Sequence, residues 1–360
     1  MCRALEYEDI VEVVNINTIE ELREKVIYDD KFKKYLYRGH SKSESYKLVP
    51  TLLRLEEESA NELRYDFYIK ELRSLLQFYL ESNKIGLYVP NIPSFFQLGV
   101  ANKFDLSLLL KDVECNWLPN EVIELAALAQ HYGMHTRLLD WTQDIRVALY
   151  FAASGVEESQ KEDMAVWCIN AGELTNIRNT FDSSIYLSNI LSKYRQGDHL
   201  EKRELIRILL GDVLPLRFFI PHYDVNRNIS AQKGVLSVWQ YNLGKYIEDN
   251  NGKTQNNGSI PVESVETLTE MVTVNTKHFL EQTVKQDIKP LEELILDYYN
   301  MKKSKRRKIK EMTSKILYKV IIKKELKKDL LNMLYTDGYN RARIYPGYNG
   351  VAEMIMNHEV

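Results

Sequence analysis

Cysteine is scarce in this chain, with three in 360 residues. Cys2, Cys115 and Cys168 are widely separated and odd in number, which excludes a disulfide framework and a paired metal-ligand motif and predicts a reducing compartment. No spacing of Cys and His residues gives a zinc site, so no metal is expected. Long hydrophobic runs are also missing. None approaches the about 18 apolar residues that a membrane span requires. The segment Met1 to Asp9 carries Glu6, Glu8 and Asp9 where a secretory leader would carry an apolar core. The sequence therefore predicts a cytoplasmic protein with no membrane partner. A net charge of −3 gives the whole molecule no attraction for nucleic acid or an anionic membrane. Phosphate loops of the nucleoside-triphosphatase and dinucleotide types are absent.

What is present is an ordinary globular composition, 44% hydrophobic and 28% charged, in a chain long enough to bury a substantial core. Ile19, Leu22 and Val26 fall at helical spacing, and Tyr35 to Tyr37 reads as a short strand that Arg38-Gly39 ends. Leu63 to Tyr79 keeps a helical stripe. A helix starting at Asn120 is expected to stop near Tyr132-Gly133, and Thr142 is placed to cap a helix with Val147, Ala148, Phe151 and Ala152 on its buried face. Ala165 to Ile169, Phe218 to Ile220 and Val235 to Trp239 have the aromatic and β-branched content of strands. Helices before, between and after strands favour α+β over regular alternation.

The run from Asn250 to Ser259 is rich in Asn and Gly and reads as a surface loop. Three regions follow: a core at 1–248, a flexible loop at 249–260 and a helical, basic region at 261–360 that packs on the core. In the last, Ile309, Met312, Ile316, Leu317, Val320 and Ile321 suggest amphipathic helices with basic outer faces. Lys302, Lys305, Arg306 and Lys308 form the densest part of a cationic run that could take RNA or DNA phosphates, or simply remain a solvated helix surface.

Four polar motifs stand out: Tyr37-Arg38-Gly39 with Pro50-Thr51-Leu52-Leu53-Arg54; Gln130-His131-Tyr132-Gly133 with Thr136-Arg137-Leu138-Leu139-Asp140-Trp141-Thr142; Ala231-Gln232-Lys233-Gly234; and Ile344-Tyr345-Pro346-Gly347 with Gly350. On these segments the chain resembles the FRG-domain family, named for its Phe/Tyr-Arg-Gly signature. It departs from the family pattern at His135, where Pro is usual, and at Asn226-Arg227-Asn228, where the family arginine is displaced.

A more distant resemblance connects Arg38 on a first strand and Thr142 beside a helix with ADP-ribosyltransferases. It implies a split mixed or antiparallel sheet core surrounded by helices, and NAD as substrate. Under it, Arg38, Thr142, Gln232 and His131 are the catalytic candidates. Arg38, Gly39, Tyr132, Arg137, Asp140 and Trp141 are the candidate NAD contacts. An arginine offers a fixed fork of donors to a diphosphate, and Gly39 would let a ligand approach the backbone. Those transferases use a Glu where Gln232 stands, and Gln cannot supply a negative charge to an oxocarbenium-like transition state. For Asp140 and Trp141 a structural reading competes, with Asp140 bonded to Arg137 or turn amides and Trp141 in the core. The resemblance implies a toxin or antiviral effector that modifies nucleic acid or protein, with an antitoxin or regulatory partner. The alternative is a non-catalytic module that binds a nucleotide or nucleic acid at the same arginine.

Overall fold

A computed structural model describes residues 3–58, 66–92, 95, 116–118, 120–174, 214–223, 227–239, 241–242, 289–301 and 303–356. Their chief feature is a mixed seven-stranded sheet in the order β1-β9-β5-β2-β4-β7-β6. Its strands are β1 (Val11–Ile16), β2 (Leu36–His40), β4 (Leu139–Thr142), β5 (Met164–Ile169), β6 (Leu216–Phe219), β7 (Gly234–Trp239) and β9 (Leu317–Ile322). A separate two-stranded ladder joins β3 (Asn116–Trp117) to β8 (Tyr241–Asn242). The β5 sequence MAVWCI is buried at all six positions, as expected of a strand covered on both faces, where apolar runs replace strict alternation. Cys168 is a free thiol in this strand, and burial pushes its pKa up.

One face of the sheet carries α6 (Ile145–Ser154), whose Ala148, Ala152 and Ala153 share an apolar cluster with Tyr37, Val166 and Val320. The small residues follow from close approach. A Cβ built on Gly39 would lie 2.0 Å from the Ala148 carbonyl oxygen and 2.7 Å from the Ala152 nitrogen. Gly39 is thus required by helix-on-strand packing, which corrects the expectation that it opens the backbone to a ligand. On another side, α8 (Leu291–Met301) contributes Leu291 and Ile295 to a cluster with Trp141, Trp167 and Leu317. A third cluster joins Leu72, Leu75 and Tyr79 of α4 (Asp66–Lys84) to Val122, Leu125 and Ala129 of α5 (Asn120–His131).

The α+β class holds. The expected split core is instead one hydrogen-bonded sheet that thins to a single residue pair, Tyr37 with Thr142, between β2 and β4. On either side of that joint, β2 pairs with β5 over five residues and β4 with β7 over four. The region expected to be helical after residue 261 also needs correction. Ile316 to Ile322 has helical spacing on paper, yet Leu317–Ile322 forms β9, parallel to β1 and antiparallel to β5. Four of its six residues are β-branched or aromatic, and this composition outweighs the spacing. Among the described residues, no helix is long and apolar enough to cross a membrane.

Candidate functional site

The thin joint is where Arg38 sits. Below the Tyr37–Thr142 pair the two strands offer each other no further ladder bonds, and the Arg38 side chain takes up the gap. Its Nη1 donates to the Asp140 carbonyl at 2.7 Å and lies 3.5 Å from the Asp140 carboxylate. Its Nε donates to His40 Nε2 at 3.0 Å. Arg38 therefore lies within β2, not at its end as the sequence suggests, and 17% of its side chain remains exposed.

His40 is a buried spacer in this network. Its Nδ1 lies 3.0 Å from the Tyr46 carbonyl. These partners assign the proton to Nδ1 and leave Nε2 to accept from Arg38. Burial, then the Arg38 charge, pushes the His40 pKa down to about 3, so the imidazole is neutral at physiological pH. Burial likewise lowers the Arg38 pKa, opposed by Asp140.

Asp140 is the open end of the site. Its side chain is 62% exposed, and one carboxylate oxygen accepts from Gln130 Nε2 at 2.6 Å. Gln130 is oriented by the Thr136 hydroxyl, which donates to its Oε1. The same hydroxyl accepts from the Leu138 amide at 3.2 Å. These polar residues of the second motif thus aim one carboxylate beside one arginine. His131 stands close by. Burial lowers its pKa and the Asp140 charge raises it. Its Nε2 is 3.5 Å from Asn228 Nδ2, and its ring meets Tyr132 edge-on at 5.1 Å. Tyr132 is 68% exposed.

Thr142 and Gln232 meet directly. The Thr142 hydroxyl donates to the Gln232 carbonyl at 2.6 Å and accepts from the Asp144 amide at 3.0 Å. It does not cap α6; Asp144 does, accepting from the Arg146 amide at 3.1 Å. A carboxylate two residues before that amide reaches it better than the shorter hydroxyl further upstream. The Gln232 side chain donates to the Ile344 carbonyl at 3.1 Å, which joins the third and fourth motifs. The four catalytic candidates thus come from four places, Arg38 from β2, His131 from the end of α5, Thr142 from β4 and Gln232 from the turn after α7 (Arg227–Ala231), and Thr142 and Gln232 spend their hydrogen bonds on the protein.

Two expected NAD contacts have other occupations. Arg137 is 3% exposed and pairs with Glu71 on α4, its Nε donating at 2.7 Å. Trp141 is 2% exposed and its indole donates to Ser237 at 2.8 Å. Strand alternation separates them from Asp140: Leu139 and Trp141 turn into one apolar cluster while Asp140 turns out. A small, mostly apolar hollow lined by Leu48, Pro50, Leu53, Arg137 and Leu291 among others involves neither Arg38 nor Asp140. Its polar lining is Arg137, Ser237 and Lys289, and of these Arg137 and Ser237 are already bonded to Glu71 and Trp141, which leaves the Arg38–Asp140 pair as the better candidate for polar chemistry.

In the basic region, α9 spans Lys303–Glu311. Arg306 turns inward, donating to the Asn300 carbonyl, and its buried Nε finds no partner among the described residues. This corrects the expectation that it faces solvent. Lys302 and the side chains of Lys305 and Lys308 lie outside the described residues. No group of His, Cys, Asp and Glu among the described residues could hold a metal ion.

Sequence reasoning missed His40, Gln130 and Arg54. His40 follows the first motif directly and Arg54 closes its second half. Gln130 opens the second motif, so its place there was the available signal.

An α+β protein with an arginine–carboxylate pair at a thinned sheet joint is what fold and site define. The FRG-domain family model matches residues 100–162, the stretch that contains Gln130, His131 and Asp140, so this segment is similar to an FRG domain. No curated protein and no solved structure matches it.

Proposed function

We propose that the protein is an ADP-ribosyltransferase-like enzyme that uses NAD to modify a macromolecule, with Asp140 in the acidic role that Gln232 does not fill. The observation that carries this reading is the exposed Asp140 carboxylate held 3.5 Å from the Arg38 guanidinium. A module built only to bind an anion is weakened by a carboxylate at its arginine. Transfer of a ribosyl group is aided by one, because positive charge grows on the sugar as the leaving group departs.

In this reading the free donor capacity of Arg38 takes the NAD diphosphate, and His131 and Tyr132 border the nicotinamide ribose. The bond from the ribose anomeric carbon to nicotinamide breaks, and nicotinamide leaves with its electrons. A nucleophile of the target forms the new bond to that carbon and loses its proton. Thr142 and Gln232 act by holding β4 against the turn before β7. Nucleic acid is one target class, reached through Lys302, Lys305 and Lys308, and protein is another. A toxin or defence effector with an antitoxin partner is the setting this chemistry suits. The engagement of Thr142 and Gln232 within the protein favours a second reading, a nucleotide-binding module without turnover.

Incubation with labelled NAD and a mixture of RNA, DNA and cell protein tests the choice. Label transfer with release of nicotinamide is expected, lost in Arg38→Ala and reduced about 10²-fold or more in Asp140→Asn, the scale of removing one electrostatic stabiliser. Gln232→Glu should restore part of the Asp140→Asn loss if a charge is what the site requires. NAD binding by the folded protein with no transfer would hand the site to the second reading.

A further inference from the structure

The Arg38 site does not end at His40. The His40 ring meets Tyr46 edge-on at 6.1 Å and bonds its carbonyl. Around the Tyr46 ring stand two cations, Lys42 Nζ at 5.7 Å and the Arg54 guanidinium carbon at 6.0 Å. Tyr46 is 38% exposed. The loop that carries it is built firmly. Gln160 Nε2 donates to the Ser41 carbonyl at 2.5 Å, and Glu162 accepts from the Glu44 and Ser45 amides at 2.8 and 2.9 Å.

Arg54 is half-buried and donates to Thr51 Oγ1 at 2.8 Å. Among the described residues it has no carboxylate partner. Its charge is near enough to lower the pKa of both Arg38 and His40. The two guanidinium groups disfavour each other's charge, and an anion held between them would offset that repulsion. Acidic residues limit the size of that anion. Glu157 lies 3.7 Å from Lys42 and Glu44 lies 3.5 Å from Lys319, so the cationic strip suits a short diphosphate better than the continuous backbone of a nucleic acid.

We propose that Arg54, Lys42 and Tyr46 form a subsite continuous with Arg38 that binds the ADP moiety of a dinucleotide, with the phosphates between the two arginines and the base against the Tyr46 ring. The choice of ligand rests on the NAD reading above, but the subsite does not require turnover. Arginine supplies a charged fork for phosphate, and an exposed aromatic supplies a face for a base.

Calorimetric titration of the full chain with ADP, inorganic pyrophosphate and a single-stranded oligonucleotide tests it. The wild type should bind ADP and pyrophosphate. Arg54→Ala should weaken both by about tenfold or more, the scale of a lost hydrogen bond to a charged group, and Arg54→Lys should lose less. Tyr46→Ala should weaken ADP and spare pyrophosphate. Circular dichroism melts confirm that the variants fold. Unchanged ADP affinity in Arg54→Ala and Tyr46→Ala overturns the subsite, as does a wild type that ignores ADP at millimolar concentration or binds the oligonucleotide alone. ADP binding that depends on Arg54, without label transfer from NAD, keeps the subsite and removes only the transferase reading.

Discussion

Single residues in this molecule are read wrongly when burial is unknown, and Glu292 shows how far that reaches. Nothing in its sequence context marks it, since it opens a helix beside another acid. It is 6% exposed, and its Oε2 has no partner among the described residues. Burial, joined by the nearby Glu293, raises its pKa from 4.5 to about 7. The folded protein keeps this proton to about pH 7, whereas the unfolded chain releases it near the ordinary carboxylate value. Between the two the folded state binds more protons, so stability falls as pH rises through that window. The span corresponds to about 3 kcal/mol at most. Glu292→Gln should therefore raise the melting temperature at pH 8 and leave it nearly unchanged at pH 4.5. A variant that melts like the wild type at both pH values would place the charge in contact with water or with a cation. Arg137 teaches the same lesson in the opposite sense. The sequence offered Asp140, three residues away, as its partner, but Glu71 on α4 reaches it through the core. Such a pairing depends on how α4 packs against β4, which no local spacing encodes.

Elements were more legible than their ends. The helices at Asp66–Lys84, Asn120–His131 and Ile145–Ser154 and the strands at Met164–Ile169 and Gly234–Trp239 all follow from period and composition, because each buries a large apolar face. The failures fall where one short segment supports two periods, as in Ile316 to Ile322, and where two groups compete to cap a helix, as Thr142 and Asp144 do. The Tyr-Arg-Gly motif combines both levels: Arg38 belongs to the site, whereas Gly39 belongs to the packing of α6 on β2. Gly39→Ala would set a methyl carbon 2.0 Å from a backbone oxygen, and backbone cannot give way as a flexible side chain can. Forcing α6 off the sheet should cost at least about 1–3 kcal/mol, the usual penalty of overpacking. A lowered melting temperature is expected, with loss of ligand binding that follows the unfolding. If Gly39→Ala melts as the wild type does while NAD binding is lost, the glycine serves the ligand after all. Gly350 repeats the theme in the fourth motif, where a Cβ would lie 1.9 Å from the Tyr345 carbonyl oxygen.

At the scale of the whole molecule, the division at residue 248 expected from composition does not describe the sheet. β9, from the far end of the chain, lies between β1 and β5 and pairs with both along their lengths. The apolar cluster on the α6 face takes Tyr318, Val320 and Ile322 from β9, and Leu330 and Leu334 from α10 (Lys327–Thr336). The candidate site also draws on this part, through the Ile344 carbonyl that receives Gln232 and through Tyr339, whose hydroxyl donates to Asp144 at 2.7 Å. An Asn- and Gly-rich stretch looks like a boundary in sequence because turn-forming residues mark any excursion from the core, whether or not the chain returns to the same sheet. Removing everything after residue 260 would leave β1 without its strand partner and expose one edge of β5, a fully apolar strand. An unpaired, apolar edge of that kind recruits other chains. The 1–260 fragment should be insoluble or lack cooperative unfolding, and co-expression with 289–360 should recover soluble protein in proportion to complex formed. A 1–260 fragment that unfolds cooperatively and binds ADP as the full chain does would show that β1 and β5 close the sheet without β9, and would restore the boundary that the sequence suggests.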